Sequence, residues 1–442
     1  MDDLLSSANL MFKVEGESVE QDEEIRKAWD AYKSQQASDT VQGICLVTGK
    51  KAPVARLHPN IKGLYGAQSS GAALVAFNAL AYESYEHKQG DNAPVSEYAA
   101  FAYTTALNTL LASERNYLRI GEMTVVFWAE GADEDNEDVF GDVFSSENKI
   151  IEDDDLQGFF EKVSQGQSFS VKDYLVKPEN KFYILGLSPN AARISVRFFF
   201  VDTFGDFIKN YEKYFREFEI IKPSFDNRVN VPLWQILQET ANKNSKDKAA
   251  SPLLAGAVLR SILSGIKYPE ALYQNTILRA KADQDNPDKN ITKISRIKAA
   301  IIKACLLRNY KNNEEVVTVA LNEECKKVPY VLGRLFAVLE DLQEKANPGI
   351  NSTIKDRYFN SACATPSVTF PLLTKLANTH LKKISAQKGT VIYFEKLIGE
   401  LMNKLEVENN AMPARLSLPE QGEFVLGYYH QVQKRFEKKE EK

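Results

Sequence analysis

Phe182-Tyr183-Ile184-Leu185-Gly186-Leu187, then Ser188-Pro189-Asn190, then Ile194-Ser195-Val196-Arg197-Phe198-Phe199-Phe200-Val201, lead directly into Thr203 to Phe218. The two outer apolar runs are β-branched and aromatic, and the proline and asparagine between them break the chain, so they read as paired strands around a turn. Thr203 to Phe218 carries its apolar residues at helical spacing instead. Strand, turn, strand and helix in succession describe an α+β layer. Upstream, Thr124 to Ala129 is another apolar, aromatic run and is expected as a central strand.

Working toward the N-terminus, Ser96 with Glu97 opens an amphipathic helix through Tyr103 to Leu111. Ile44 to Val47 and Val54 to His58 are expected as a hairpin around Thr48-Gly49-Lys50-Lys51, and Ala73 to Tyr85 as a buried strand or a short helix. Leu10 to Val14 reads as a short strand. Glu23 to Lys33 reads as a helix with Ile25 and Trp29 on one face.

From about Val231 the pattern turns helical, with breaks near Asn242–Lys248, Asp283–Lys289, Asn347–Asn351 and Ala411–Pro419. The clearest helices are Leu253–Leu263, Ile294–Arg308, Val331–Gln343, Pro371–Ile384, Tyr393–Leu405 and Glu420–Phe436. The fold class is therefore an α+β N-terminal half, a mixed sheet with helices, followed by an all-α helical bundle. The expected divisions are a body over 1–229, a helical connector over 230–290 and a C-terminal bundle over 291–442.

The 442 residues carry a formal net charge of −5, unevenly spread. Glu130 to Asp155 holds twelve acids against one lysine, lacks apolar periodicity and reads as a solvated loop, whereas Ile291 onward has about seven bases in excess. Cys45, Cys305, Cys325 and Cys363 lie far apart with no histidine at ligand spacing, so neither a disulfide framework nor a metal site is expected. With no apolar run long enough for a bilayer and no signal-like start, a cytoplasmic protein is expected.

No catalytic constellation emerges. His58 before Pro59 suits a packed or capping role, and His87, His380 and His430 have no partner at metal spacing. Asp153-Asp154-Asp155 sits in an acidic run, and Gly63-xx-Gly66 lacks the Gly-Lys-Ser/Thr of a phosphate-transfer loop. The segment from His58 to Val95 offers glycines, amides and small hydroxyls suited to approaching phosphates, without a nucleophile. In the helical half, Arg296, Lys298 and Lys303 are expected on the face opposite Ile297, Ala300, Ile301 and Leu307. Lys355 and Arg357 flank Asp356, and Lys382 and Lys383 end a helix where cations favour the dipole. Such clustering reads either as solvated faces or as a nucleic-acid surface.

Ordered motifs then carry a resemblance. Cys45-Leu46-Val47-Thr48-Gly49, Leu57-His58-Pro59-Asn60-Ile61-Lys62-Gly63, Gly66-Ala67-Gln68, Asn92-Ala93-Pro94-Val95-Ser96, Val126-Phe127-Trp128-Ala129, Leu185-Gly186-Leu187-Ser188-Pro189-Asn190, Leu332-Gly333-Arg334-Leu335, Ile354-Lys355-Asp356-Arg357-Tyr358 and Gly427-Tyr428-Tyr429-His430-Gln431 resemble the large subunit of the subtype I-C CRISPR effector complex, Cascade. Members usually have a longer portion ahead of the segment like Met11-Phe12-Lys13-Val14, where this chain has ten residues, so an N-terminal portion is expected to be missing.

The resemblance implies a non-catalytic subunit in antiviral defence, without cofactor. Its partners would be CRISPR RNA, target double-stranded DNA, the backbone, handle-processing and small subunits, and a helicase-nuclease. Sequence would be read by guide pairing and the protospacer-adjacent motif by protein, with the bundle resembling the small subunit. Lys50, Lys51, Arg56 and Lys62 are then expected to neutralise phosphates. Gln68, Ser69, Asn78 and Asn92 either meet base edges and sugars or, for the three amides, close turns. Asn190, Arg193 and Arg197 are expected against RNA or a neighbouring subunit, with an inter-subunit salt bridge equally open for Arg197. Arg296, Lys303, Lys355, Arg357, Lys382 and Lys383 are expected along DNA backbone. Two other classes stand beside this: a protein scaffold that does not touch DNA, and a metal-dependent nuclease whose best ordered carboxylate pair is Asp202 and Asp206.

Overall fold

Glycines at positive φ and short polar runs govern the first hundred residues, while alternating and helical apolar patterns govern the rest of the chain. The computed structural model describes residues 12–436 apart from 15, 37–40, 132, 145–157, 159, 163–168, 172–173, 227, 229–230, 245–250, 312–314 and 406–410. The chain separates into two units, residues 1–112 with 189–195, and residues 113–188 with 196–442.

In the first unit, β1 (Lys13–Val14) pairs with β2 (Glu17–Ser18), and α1 spans Glu23–Gln36. Leu10, Met11 and Glu15 lie outside the described residues. The expected stripe of Ile25 and Trp29 is exposed on α1. The hairpin forms earlier than its apolar runs suggested: β3 (Gln42–Ile44) pairs antiparallel with β4 (Lys51–Pro53). The flanks are diverted because the amides of Leu46 and Ala55 donate to the carbonyls of Pro94 and Val95. Ala73 to Tyr85 is neither strand nor α-helix, but coil with one bridge, Ala73 to Arg193, and a 3-10 turn at Leu80–Tyr82. Positive φ at Gly71 just before it and at Tyr85, Glu86 and Gln89 at and beyond its end bounds the stretch with turns. Then α2 (Glu97–Ala112) begins at Ser96, whose hydroxyl accepts from the Ala99 amide at 3.2 Å. Its buried residues Ala99 and Ala100 join Cys45, Ala55 and Val95 in a small core.

The second unit is built on β5 (Tyr117–Ile120), β6 (Met123–Ala129), β9 (Lys181–Asn190) and β10 (Arg193–Thr203), in the order β10-β9-β6-β5. Residues 189–195, at the hairpin tip, cluster with the first unit. The sheet is antiparallel rather than mixed, since two tight hairpins account for β5-β6 and β9-β10 and leave no parallel crossover. Period-2 alternation sends Val125, Phe127, Phe182, Ile184 and Phe198 into the core.

Two helices cover that face. The acidic stretch is not one solvated loop: Glu134–Phe144 forms α3. Val139, Phe140 and Val143 fall on one side of it, and the acids of its first turn suit the positive end of the helix. Asp153-Asp154-Asp155 lies outside the described residues. A small antiparallel pair, β7 (Phe169–Val171) with β8 (Tyr174–Val176), comes next. The second covering helix, α4 (Phe204–Phe218), is capped by Thr203, whose hydroxyl accepts from the Asp206 amide, and buries Phe204, Phe207, Ile208 and Tyr211. Phe182 meets Phe140 and Phe204 at ring separations of 5.0 and 5.2 Å, which pins both helices to one side.

The remaining chain is helical, with α5 (Leu233–Thr240), α6 (Pro252–Ser264), α7 (Glu270–Ala282), α8 (Arg296–Asn309), α9 (Val328–Ala346), α10 (Ile354–Ala364), α11 (Pro366–Lys383), α12 (Lys388–Lys404) and α13 (Leu418–Lys434). Phe336 of α9, Phe359 of α10 and Phe424 of α13 pack edge to face at 5.5 to 5.9 Å.

Candidate nucleic-acid interface

The loops of the first unit gather several expected residues. Arg193 donates to the Asn78 side-chain oxygen, and its guanidinium lies 4.0 Å from the centre of the Tyr82 ring. A guanidinium stacked on one face and hydrogen-bonded at one corner keeps donors for an anion. Arg56 reaches the Gln89 side chain at 3.0 Å. Lys50, Lys51, Lys62, Gln68, Ser69 and Asn190 are exposed. Lys62 is fixed at its backbone, where its amide donates to Asn108 at 2.8 Å.

Gly71 permits the tight turn beside them: at φ +89° it bonds back to the Gln68 carbonyl, and a Cβ there would come within 2.8 Å of the Ile61 oxygen. Asn92 closes a turn. Its oxygen accepts from the Ser84 amide, and its nitrogen donates to the carbonyls of His87 and Gln89. His58 is packed, with Nδ1 2.7 Å from the Tyr103 hydroxyl, and burial lowers its pKa.

In the second unit, Arg197 is exposed on the sheet face opposite α3 and α4. Beside it stands a ladder that the local sequence pattern did not single out: Trp128 stacks on Tyr183 at 5.2 Å and 4°, and Phe199 lies 6.2 Å from Trp128. Its signal was present in the strand parity, since Trp128, Tyr183 and Phe199 are each one step out of phase with the core-facing phenylalanines.

The solvated basic face expected on α8 does not exist. Arg296, Lys298 and Lys303 are all buried, because residues remote in sequence supply acceptors all round the helix. Lys298 donates to Asp283 at 2.7 Å and to the carbonyls of Thr292 and Lys293. Arg296 pairs with Asp226 at 3.1 Å. Lys303 donates to the Glu217 carbonyl at 3.0 Å, and burial lowers its pKa to about 8. A further buried cation on the same helix, Arg308, bonds Glu217 at 2.7 Å and stacks on Tyr268 at 4.0 Å. Extracting such pairs to meet a phosphate would cost their packing and leave buried carboxylates uncompensated, so Arg296 and Lys303 are not surface phosphate contacts.

Lys355 pairs with Asp285 at 2.6 Å, and with Arg296 it lines one cleft of about 540 Å³. Arg357, Lys382 and Lys383 are exposed on α10 and α11, at separate places in the chain, with Lys383 reaching Asn347.

Asp202 and Asp206 serve the start of α4: Asp202 accepts from the Thr203 amide at 2.9 Å and Asp206 from the Thr203 hydroxyl at 2.7 Å. Among the described residues no group of three or more His, Cys, Asp or Glu side chains is placed to hold a metal, and no helix is long and apolar enough to cross a membrane. The four cysteines are buried free thiols.

A stacked guanidinium, exposed amides and lysines on glycine-shaped loops make a class of surface suited to nucleic-acid backbone. The family comparison narrows that class: the model of the CRISPR-associated protein (Cas_Csd1) family matches residues 1–436, and the chain belongs to this family. It is a CRISPR-associated protein of the Cascade-subunit type. No curated protein matches the chain.

Proposed function

We propose that this chain is a non-catalytic subunit of a subtype I-C Cascade complex. It joins CRISPR RNA with the other subunits, holds guide-selected target DNA, contacts the protospacer-adjacent motif and displaced strand, and supports helicase-nuclease recruitment. Family membership over residues 1–436 supports the setting. The Asn78–Arg193–Tyr82 cluster, with Lys62, Gln68 and Ser69 exposed on the same unit, is the observation that carries the binding role. Sequence would be read by guide pairing and the short motif by protein groups.

The test is reconstitution of a guide-loaded complex with this chain, then binding to duplexes with and without candidate motifs across a salt series. The expected outcome is motif discrimination and an affinity that falls with salt at a log-log slope of about −0.9 per phosphate contact. Failure of the chain to join the complex, or DNA cleavage by the purified chain alone, overturns the reading. A protein scaffold is the second reading, favoured by the exposure of Leu46, Val47, Tyr98 and Phe101, and salt-insensitive assembly without DNA affinity would establish it.

A further inference from the structure

The 540 Å³ cleft in the second unit has the size of a small-ligand site. Three aromatic side chains line it and remain open: Phe225 is 85% exposed, Phe436 69% and Trp234 40%. Rings left uncovered to this extent offer faces for stacking.

The polar lining has a matching bias. Arg228, Lys243, Arg296 and Lys355 face Asp226, Glu239 and Asp285, four cationic side chains against three carboxylates. Asp226 holds Arg228 in place through contacts of 3.0 and 3.3 Å, while also accepting from Arg296. The Arg228 side chain nevertheless stays 57% exposed, so its guanidinium is oriented yet open to an anion.

Flat apolar faces beside an oriented cation match a nucleotide, whose base stacks while its phosphate pairs. An acidic peptide would satisfy the charge but leave the rings wet, and an apolar peptide would bury the surplus charge. We infer that this cleft binds an unpaired nucleotide, with the base against Trp234 or Phe225 and the phosphate at Arg228. The inference rests on the nucleic-acid reading above and adds a place for a base outside any duplex.

Trp234 supplies the readout. In this chain carrying Trp29→Phe and Trp128→Phe it is the sole tryptophan, since the sequence has three. Titration with thymidine monophosphate, with an eight-residue oligothymidylate and with poly-glutamate separates the possibilities. Saturable quenching by the oligonucleotide alone supports a nucleotide held within a strand, and quenching by the monophosphate as well supports a free nucleotide site.

Arg228→Ala is expected to weaken fluorescein-oligothymidylate binding, and Trp234→Ala to weaken it about tenfold, the loss of one stacked base, with circular dichroism unchanged. Quenching by poly-glutamate only, no quenching by any of the three, or unchanged affinity in both variants overturns the inference. Complex assembly and duplex binding that persist alongside such a failure would sink the cleft alone, whereas failed assembly with intact quenching would sink the proposed function alone.

Discussion

Gly333 of α9 lies directly against Phe424 of α13: a Cβ on Gly333 would fall within the van der Waals envelope of the Phe424 carbonyl oxygen. Gly427 repeats the relationship in reverse against the Tyr330 carbonyl. Two glycines, one on each helix, let the backbones approach far closer than ordinary side chains allow. Gly333→Ala and Gly427→Ala are each expected to lower stability by about 3 kcal/mol, at the upper end for overpacking because backbone rather than a side chain must yield. Thermal unfolding of the single variants checks this, and the gain of about 1 kcal/mol that Gly→Ala brings at an ordinary exposed helix position would refute the close contact.

Glu217 joins three elements: it accepts from Arg308 at 2.7 Å and from the Tyr268 hydroxyl at 2.8 Å, with all three side chains buried. Arg308→Ala should cost about 3 to 5 kcal/mol, because the carboxylate left behind keeps its desolvation penalty without its partner. Removing both charges, as Glu217→Gln with Arg308→Met, is expected to recover part of that loss. Denaturant titration of the single and double variants measures the coupling.

Burial lowers the pKa of His430 to about 3, with Lys303 and Arg334 adding repulsion, while its ring bonds the Tyr330 hydroxyl at 2.8 Å. The unfolded chain takes up this proton near the ordinary value of 6.5, and the folded chain resists until about pH 3. The folded state therefore loses stability as pH falls from 6.5 toward 3. Glu423, raised to about 7 by burial, works oppositely: its contribution is present below 4.5 and fades as pH rises through 7. His430→Gln should thus flatten the acid-side loss. Unfolding free energies measured from about pH 7 to about pH 4 for both proteins test the sign, and parallel curves would exclude His430 as a source.

Arg193 combines a hydrogen bond to Asn78 with stacking on Tyr82. In the reconstituted complex, Arg193→Ala is expected to weaken duplex binding and to reduce the salt slope by about one contact. Arg193→Lys should restore little, because an ammonium lacks the planar face. Equal salt slopes for the three proteins would remove Arg193 from the phosphate contacts.

Much of the architecture was legible in local pattern. The strands around Thr124–Ala129, Phe182–Leu187 and Ile194–Val201 arise from alternation, and α4 from Thr203 and its apolar spacing. The Asn92 amide reads from sequence as a groove contact or a turn closure, and three local hydrogen bonds place it in the turn. What local pattern did not carry was long-range charge pairing. Arg296, Lys298 and Lys303 look like a wetted helix face only while Asp226, Asp283 and the Glu217 carbonyl, up to 86 residues away, are left out. The helix at Glu134–Phe144 was hidden by the same bias, because acids in its opening turn masked the buried Val139, Phe140 and Val143.

That pairing also ties the helices after Ile291 to the chain ahead of them. Glu217, Asp226, Glu239 and Asp283 all precede Ile291, yet each anchors a cation on the helix Arg296–Asn309. A piece opening at Ile291 would keep Arg296, Lys298 and Arg308 in its interior with their counter-ions left on the omitted part. A self-sufficient piece therefore either begins ahead of Glu217 or dispenses with that helix and begins beyond Asn309.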